Sequence, residues 1–253
     1  TAANSGSLGP TFAATPFGSP GRNVPTYAGD TGVSFATAAD YFETTGLSPL
    51  TGNPTFTIEA IVNLQAGGLA AAWGPFLHWG DGGGPDGSPQ RTGREVYFSI
   101  SNGNNDRAYA GFYNAGQRTA APVPTNTWVH IVWVRRGGLD TAAGTTLYIN
   151  GRPLALEQDP ALNPGFLAAS GIDVTSTVFR VNRAADFLGT RRFTGAIDEL
   201  VLYTRALTAA EVDTLARASG LGCYANCDAS TTAPALNVLD FTCFLNSFAA
   251  GSP

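Results

Sequence analysis

Lysine and methionine are missing from the chain, whose 14 basic residues are all arginine, scattered along 253 positions. Without lysine, any cross-link or Schiff base that needs an amine side chain is excluded, apart from the N-terminus. Charge is sparse as well: 13% of residues are charged, and the net charge of −5 comes with no basic stripe, which excludes the usual footprint of nucleic-acid binding. No apolar run is long enough to span a bilayer. Cysteine is confined to Cys223, Cys227 and Cys243 near the C-terminus. That crowding points to a small stapled module in an oxidising compartment, so the chain is expected to be secreted or held at a cell surface. It begins at Thr1 with no visible leader and reads as a mature or trimmed product.

What is abundant is glycine, with 31 residues, and proline, with 16, the composition of many turns between short strands. The stretch 55–64 alternates Phe56, Ile58, Ala60, Val62 and Leu64 with more polar neighbours, the period of a half-buried strand. Similar runs follow at 76–79, 95–100, 108–113, 128–135, 145–149, 178–181 and 196–203. Asn150-Gly151 is a hairpin signal, because both residues tolerate the positive φ of a tight turn. The Gly-rich stretch 80–88 reads as a surface loop, since no helix pattern follows it. One helix is expected, opened by the capping box Thr208-Ala-Ala-Glu211, striped by Val212, Leu215 and Ala216, and ended by Ser219-Gly220. Many strands and almost no helix give an all-β fold, a sandwich or barrel.

The segment 190–212, with Gly195-Ala-Ile-Asp-Glu-Leu-Val-Leu-Tyr203 running into Arg205-Ala-Leu-Thr208, resembles the closing strand, corner and capped helix of laminin G-like, concanavalin A-like jelly rolls. Segments 28–35, 56–64, 126–132 and 147–151 match the same family in the same order. The resemblance implies a two-sheet antiparallel jelly-roll sandwich over residues 1–218, used in the family mostly for binding, adhesion or structure. It also implies a role for Asp198, which in relatives helps hold a structural calcium. Asp30 would then supply a second carboxylate, the alternative being that Asp198 simply hydrogen-bonds a neighbouring loop. Related sandwiches include glycoside hydrolases, which need paired carboxylates on one strand face. No Glu-x-Asp-x-Glu run is present, and Asp198 and Glu199 are adjacent, so they are expected to point to opposite faces. No enzyme activity is expected. The aromatic residues Trp73, Phe76, Trp79, Tyr109, Phe112, Tyr113, Trp128 and Trp133 are read mainly as core, with Trp128 and Trp133 facing opposite ways. His78 and His130 are read as structural rather than metal-ligating.

Residues 219–253 are expected to form a second unit, an EF-hand-like loop and helix. The stretch resembles half of a dockerin-type repeat, with Asn226, Asp228 and Ser230 opening a calcium loop and Asn237 and Asp240 closing it. The loop is longer than usual, its charged ligands are few and a second repeat is absent. An ion-free Asn/Asp-rich turn is the alternative. A bridge between Cys227 and Cys243 is expected to tie the loop to its helix, leaving Cys223 over. The family also carries a short first strand beside the segment 197–203, and the sequence starts after it. Either the chain is trimmed or a neighbouring copy donates the strand, which would build a filament. The expected function is thus a calcium-stabilised structural or adhesive module whose partners are its own copies or another surface protein. The alternative is a carbohydrate-binding module of a larger polysaccharide hydrolase.

Overall fold

β-Branched and aromatic residues at alternate positions, cut apart by Gly and Asn turns, fold into two packed antiparallel sheets. In the computed structural model the described residues are 6–7, 9, 12–26, 29, 31–37, 39–65, 73–81, 92–100, 106–184, 191–192, 194–221 and 242. With strands numbered along the chain, one sheet runs, in spatial order, β1 (Ala14–Phe17), β4 (Tyr41–Leu47), β14 (Val178–Val181), β6 (Pro75–Trp79), β7 (Val96–Ile100), β8 (Ala108–Phe112), β9 (Ala115–Thr119) and β13 (Leu156–Gln158). The other runs β12 (Arg152–Pro153), β11 (Thr145–Ile149), β10 (Trp128–Arg135), β5 (Phe56–Leu64), β15 (Gly195–Tyr203), β3 (Thr31–Phe35) and β2 (Gly21–Pro25). This is the expected jelly-roll sandwich. The expected EF-hand-like module, with its cysteines, lies outside the described residues apart from 219–221 and 242.

The inward faces meet in one core. Phe56 packs edge-on against Trp79 and Trp133, with ring centroids 5.1 and 4.9 Å away, and Phe76, Phe98, Ile58 and Ile131 close around them. Trp133 is fully buried, whereas Trp128, on the other face of β10, is only half-buried.

The half-buried reading of β5 is corrected: both faces of this central strand are covered, and Thr57, Glu59 and Ile61 on its outward side are buried too. The cover is α1 (Ala209–Ala218) and the corner before it. Val212 packs with Leu207 on Val132, Val134 and Tyr148. Thr57 donates from Oγ1 to the Arg205 carbonyl at 2.9 Å and accepts from the Leu207 amide at 3.0 Å, pinning the corner to the sheet. The capping box forms as expected: Thr208 Oγ1 accepts from the Glu211 amide, and the Glu211 carboxylate accepts from the Thr208 amide at 2.8 Å. Asn150 and Gly151 take φ of 49° and 81°, closing the β11–β12 hairpin.

β15 departs from regular alternation. Ile197 faces Val62 and Leu200 faces Ala60, so Asp198 and Glu199 share the single partner position at Ile61, a β-bulge. The bulge also ends the pairing of β15 with β3, which covers only Gly195–Ile197. From Leu200 to Tyr203, β15 pairs on one side only, with β5, among the described residues.

Candidate functional site

Three places gather polar or aromatic groups. The first is the outward face of the eight-stranded sheet. Strand alternation sets Arg180 of β14 opposite His78 of β6, His78 opposite Tyr97 of β7, and Tyr109 of β8 opposite Arg118 of β9. His78 Nε2 lies 3.3 Å from Glu95 Oε2, and Tyr97 donates its hydroxyl to the same oxygen at 3.2 Å. At the far edge Arg118 donates through Nε and Nη2 to Glu157 Oε1 at 2.8 and 2.7 Å.

Between these polar ends the face dips into a pocket of about 150 Å³ lined by Trp73, Tyr97, Tyr109, Tyr113, Asn114 and Arg191, among others. Trp73 stands edge-on to Tyr109, centroids 4.9 Å apart, and the Arg191 guanidinium lies 5.7 Å from the Tyr97 ring centre. Burial, reinforced by the nearby Asp159 carboxylate and opposed by Arg191, raises the Tyr109 hydroxyl well above its usual range. That hydroxyl stays protonated and donates to the Phe112 carbonyl at 2.7 Å. Room for it comes from Gly111 and Gly116, which face each other across β8 and β9: a Cβ on either would collide with the Tyr109 hydroxyl. Trp73 and Asn114 hold φ of 65° and 60° at the rim. For an aromatic residue this is an uncommon backbone state, of the kind that collects at functional sites.

The second place is the opposite outer face. Glu59 of β5 accepts from Tyr203 Oη at 2.7 Å and lies 2.8 Å from His130 Nε2, all beneath the rim of α1. Burial works against its charge, yet the bonds from His130 and Tyr203 prevail and hold the Glu59 carboxyl below its ordinary value. Both histidines thus have a carboxylate partner far away in sequence, which alternation within one strand cannot reveal. Glu59 and Glu95 lie on opposite outer faces, so they do not flank a common substrate.

The third place is a groove of about 670 Å³ under the one-sided stretch of β15, lined chiefly by apolar side chains such as Phe12, Phe35, Phe42, Phe179 and Leu202. Asp198, the one metal candidate within the described residues, is half-buried at its edge, and Glu199 beside it is exposed. The expectation that the two point to opposite faces rested on regular alternation, which the bulge removes. Asp30, Asn226, Asp228, Ser230, Asn237 and Asp240, with Cys227 and Cys243, all lie outside the described residues. Among the described residues no group of three or more His, Cys, Asp or Glu is placed to hold a metal ion, and no helix is long and apolar enough to cross a membrane.

The chain superposes on the binding domain of Paraclostridial Mosquitocidal Protein 1 with a TM-score of 0.53 and 14% identity, over 82% of this chain and 47% of that one. It matches a Trypanosoma rangeli sialidase in complex with sialic acid with a TM-score of 0.54 and 17% identity, over 83% of this chain and 30% of that one. It also matches domain 4 of AbnA, an extracellular GH43 arabinanase from Geobacillus stearothermophilus, in complex with arabinotriose: TM-score 0.52, 15% identity, 83% of this chain and 91% of that one. The chain therefore spans less than half of the mosquitocidal and sialidase chains, and identities this low establish the fold alone. No curated protein sequence matches it significantly. A sequence family model does match, over residues 36–213, from the end of β3 to the middle of α1. By that match the chain belongs to the concanavalin A-like lectin/glucanases superfamily, within the laminin G group Laminin_G_3.

Proposed function

We propose that this chain is a non-catalytic, secreted recognition module that takes a saccharide on the outward face of its eight-stranded sheet. The pocket of Trp73, Tyr113, Asn114 and Arg191 carries this reading, because it sets aromatic rings beside an amide and a guanidinium. Sugar rings need that combination: apolar C–H faces pack on aromatics, and hydroxyls bond to planar donors and acceptors. At about 150 Å³ the pocket is below the roughly 300–1,000 Å³ that engulfs a drug-sized ligand, so it suits one ring or a chain end. The arabinotriose complex of the AbnA domain supports the ligand class, and the separation of Glu59 from Glu95 supports the absence of hydrolysis. The test is retention on a panel of immobilised plant and bacterial polysaccharides, without product release. Arg191→Ala and Tyr113→Ala are expected to weaken retention about tenfold, the loss of roughly one hydrogen bond or stacking contact. No retention on any polysaccharide, or retention indifferent to both changes, removes the reading.

A second reading is a structural or adhesive module, in which copies join into an extracellular filament by strand donation. One observation favours it, the one-sided edge of β15 beside an apolar groove. Ordered fibres in electron micrographs are its expected outcome, and monomers alone at micromolar concentration by mass photometry remove it. Calcium at Asn226, Asp228, Ser230, Asn237 and Asp240, or at Asp198 with Asp30, is proposed with either reading as a structural ion.

A further inference from the structure

Arg183, just past β14, carries a guanidinium that the fold holds in place but does not use. Arg118 and Arg180 on the same sheet give theirs to Glu157 and Glu43, each at 2.7 Å. Among the described residues Arg183 makes no hydrogen bond and no ion pair. A ring holds it instead, its Cζ lying 4.3 Å from the centre of Tyr41. That ring is backed in turn. Phe17 of β1 is paired with Tyr41 of β4, and their rings are parallel within 4°, with centroids 4.5 Å apart. A gap of 4.5 Å leaves no room for a guanidinium, so Arg183 covers the opposite face of Tyr41.

Phe42 points into the core, so Tyr41 and its partner Phe17 stand on the outward face, the one that carries the saccharide pocket. Phe17 is 40% exposed, and Tyr41 and Arg183 are half-buried. The nearby carboxylates are engaged elsewhere. Glu43 accepts from Arg180 Nε at 2.7 Å, and Asp40 accepts from the Ser19 and Thr37 amides at 2.8 Å and from the Ala36 amide at 3.3 Å. Arg180 Nη1 is buried without a hydrogen-bond partner, so two guanidinium groups on this strip have donors left over. The stack is also joined to the pocket. Ala184, next to Arg183, packs in the cluster of Trp73, Tyr97, Tyr109 and Tyr113. Tyr41 and Tyr97 lie three strands apart, in the order β4, β14, β6, β7, a span of roughly 15 Å that a short oligosaccharide covers.

We infer that Arg183 binds the carboxylate of a uronic acid, so that the saccharide reaching the Trp73 pocket is an acidic one. A guanidinium presents its N–H donors as a planar fork that matches a carboxylate with two parallel bonds, stronger than bonds to a neutral hydroxyl. Stacking on Tyr41 has already removed much of the freedom that a solvent-borne arginine loses on binding. The ligand class rests on the saccharide reading of the pocket, whereas the preference for acid rests on Arg183.

The test titrates the full chain by calorimetry with hexasaccharides of pectate, alginate and glucuronan, each beside its neutral, carboxyl-reduced counterpart. At least one acidic hexasaccharide is expected to bind about tenfold tighter than its reduced form, a gap that narrows as salt rises. Arg183→Gln should close the gap by weakening the acidic form alone. Arg183→Lys, which keeps the charge but not the planar fork, should restore only part of it. Tyr113→Ala should weaken both forms alike. The comparison of acidic with reduced ligands uses the unaltered protein, so it holds whatever Arg183→Gln does to folding. No gap for any of the three pairs overturns the inference, and so does a gap that survives Arg183→Gln. If the reduced forms still bind and Tyr113→Ala weakens them, the pocket reading stands while this one falls. An acid preference that is lost in Arg183→Gln but indifferent to Tyr113→Ala keeps this inference and removes the pocket. No binding of any hexasaccharide removes both. An oligoglutamate peptide bound through Arg183 as tightly as the best uronide overturns the inference too, because the partner is then a protein.

Discussion

Replacing Glu59 tests how the covered face of the seven-stranded sheet is held. Glu59 is 6% exposed and serves as acceptor for the buried His130 ring and the half-buried Tyr203 hydroxyl, so its loss takes that partner from both. Glu59→Leu removes the carboxylate and strands the Tyr203 hydroxyl and the His130 ring. Breaking a buried charged contact from one side costs about 3–5 kcal/mol. For a chain of this size each kcal/mol shifts Tm by about 2–4 °C, so a fall of about 6–20 °C is expected by calorimetry. Glu59→Gln keeps the shape and one acceptor oxygen. His130 Nδ1 is buried without a hydrogen-bond partner, so its ring is free to change tautomer and accept from the new amide. This variant should lose only about 1–3 kcal/mol. The pH dependence has a definite sign. A carboxyl whose folded-state pKa lies below its unfolded value of 4.5 contributes stability that is present above that value and lost as pH falls through the folded pKa. Wild-type stability should therefore drop below pH 4.5 more steeply than that of Glu59→Gln. Equal destabilisation by both changes, or parallel pH curves, would refute the assigned hydrogen bonds.

Three further outcomes follow from local geometry. Thr208→Ala removes the side-chain cap of α1 and should cost about 0.5–2 kcal/mol in urea unfolding, with an unchanged m-value. Gly195→Ala should cost more than 1 kcal/mol in the same assay, because Gly195 holds φ 148° and a Cβ there would collide with the Asn63 carbonyl. If the segment 226–240 holds calcium, terbium luminescence should saturate at one ion per loop and EDTA should lower Tm, by the equivalent of about 2.7 kcal/mol from a state with calcium at 100 times Kd. No luminescence and no shift would identify the segment as an ion-free turn.

The strands that the sequence announces are those whose side chains fit a pleated surface unaided. β10, β11 and β14 match the bounds expected from Val, Ile, Trp and Tyr alternation. β9, with the sequence Ala-Gly-Gln-Arg-Thr, has no such signal, since its one glycine, Gly116, makes room with Gly111 of β8 for the Tyr109 hydroxyl. Arg135 misleads in the same way. It is one of 14 arginines scattered along the sequence, yet it is fully buried over Phe112 and donates to the Asp140 carbonyl at 2.7 Å and to Asn53 Oδ1 at 2.8 Å. Burial lowers its pKa to about 10. The capping box and the Asn-Gly hairpin were legible because both are local. The pocket on the eight-stranded sheet was half legible: Tyr109 and Tyr113 stand out as aromatics, but their meeting with Trp73, Asn114 and Arg191 depends on loops brought together only by the fold. The bulge at Asp198 was not legible, since nothing in Ile-Asp-Glu-Leu says that two residues share one partner.

The saccharide reading is tested most directly by a crystal structure of the chain with the best-retained oligosaccharide from the polysaccharide panel. A sugar ring against Trp73 and Tyr113, with a hydroxyl bonded to Asn114 or Arg191, is the predicted result. Sugar bound on the α1 face or along the β15 groove, with the Trp73 pocket empty, would contradict it.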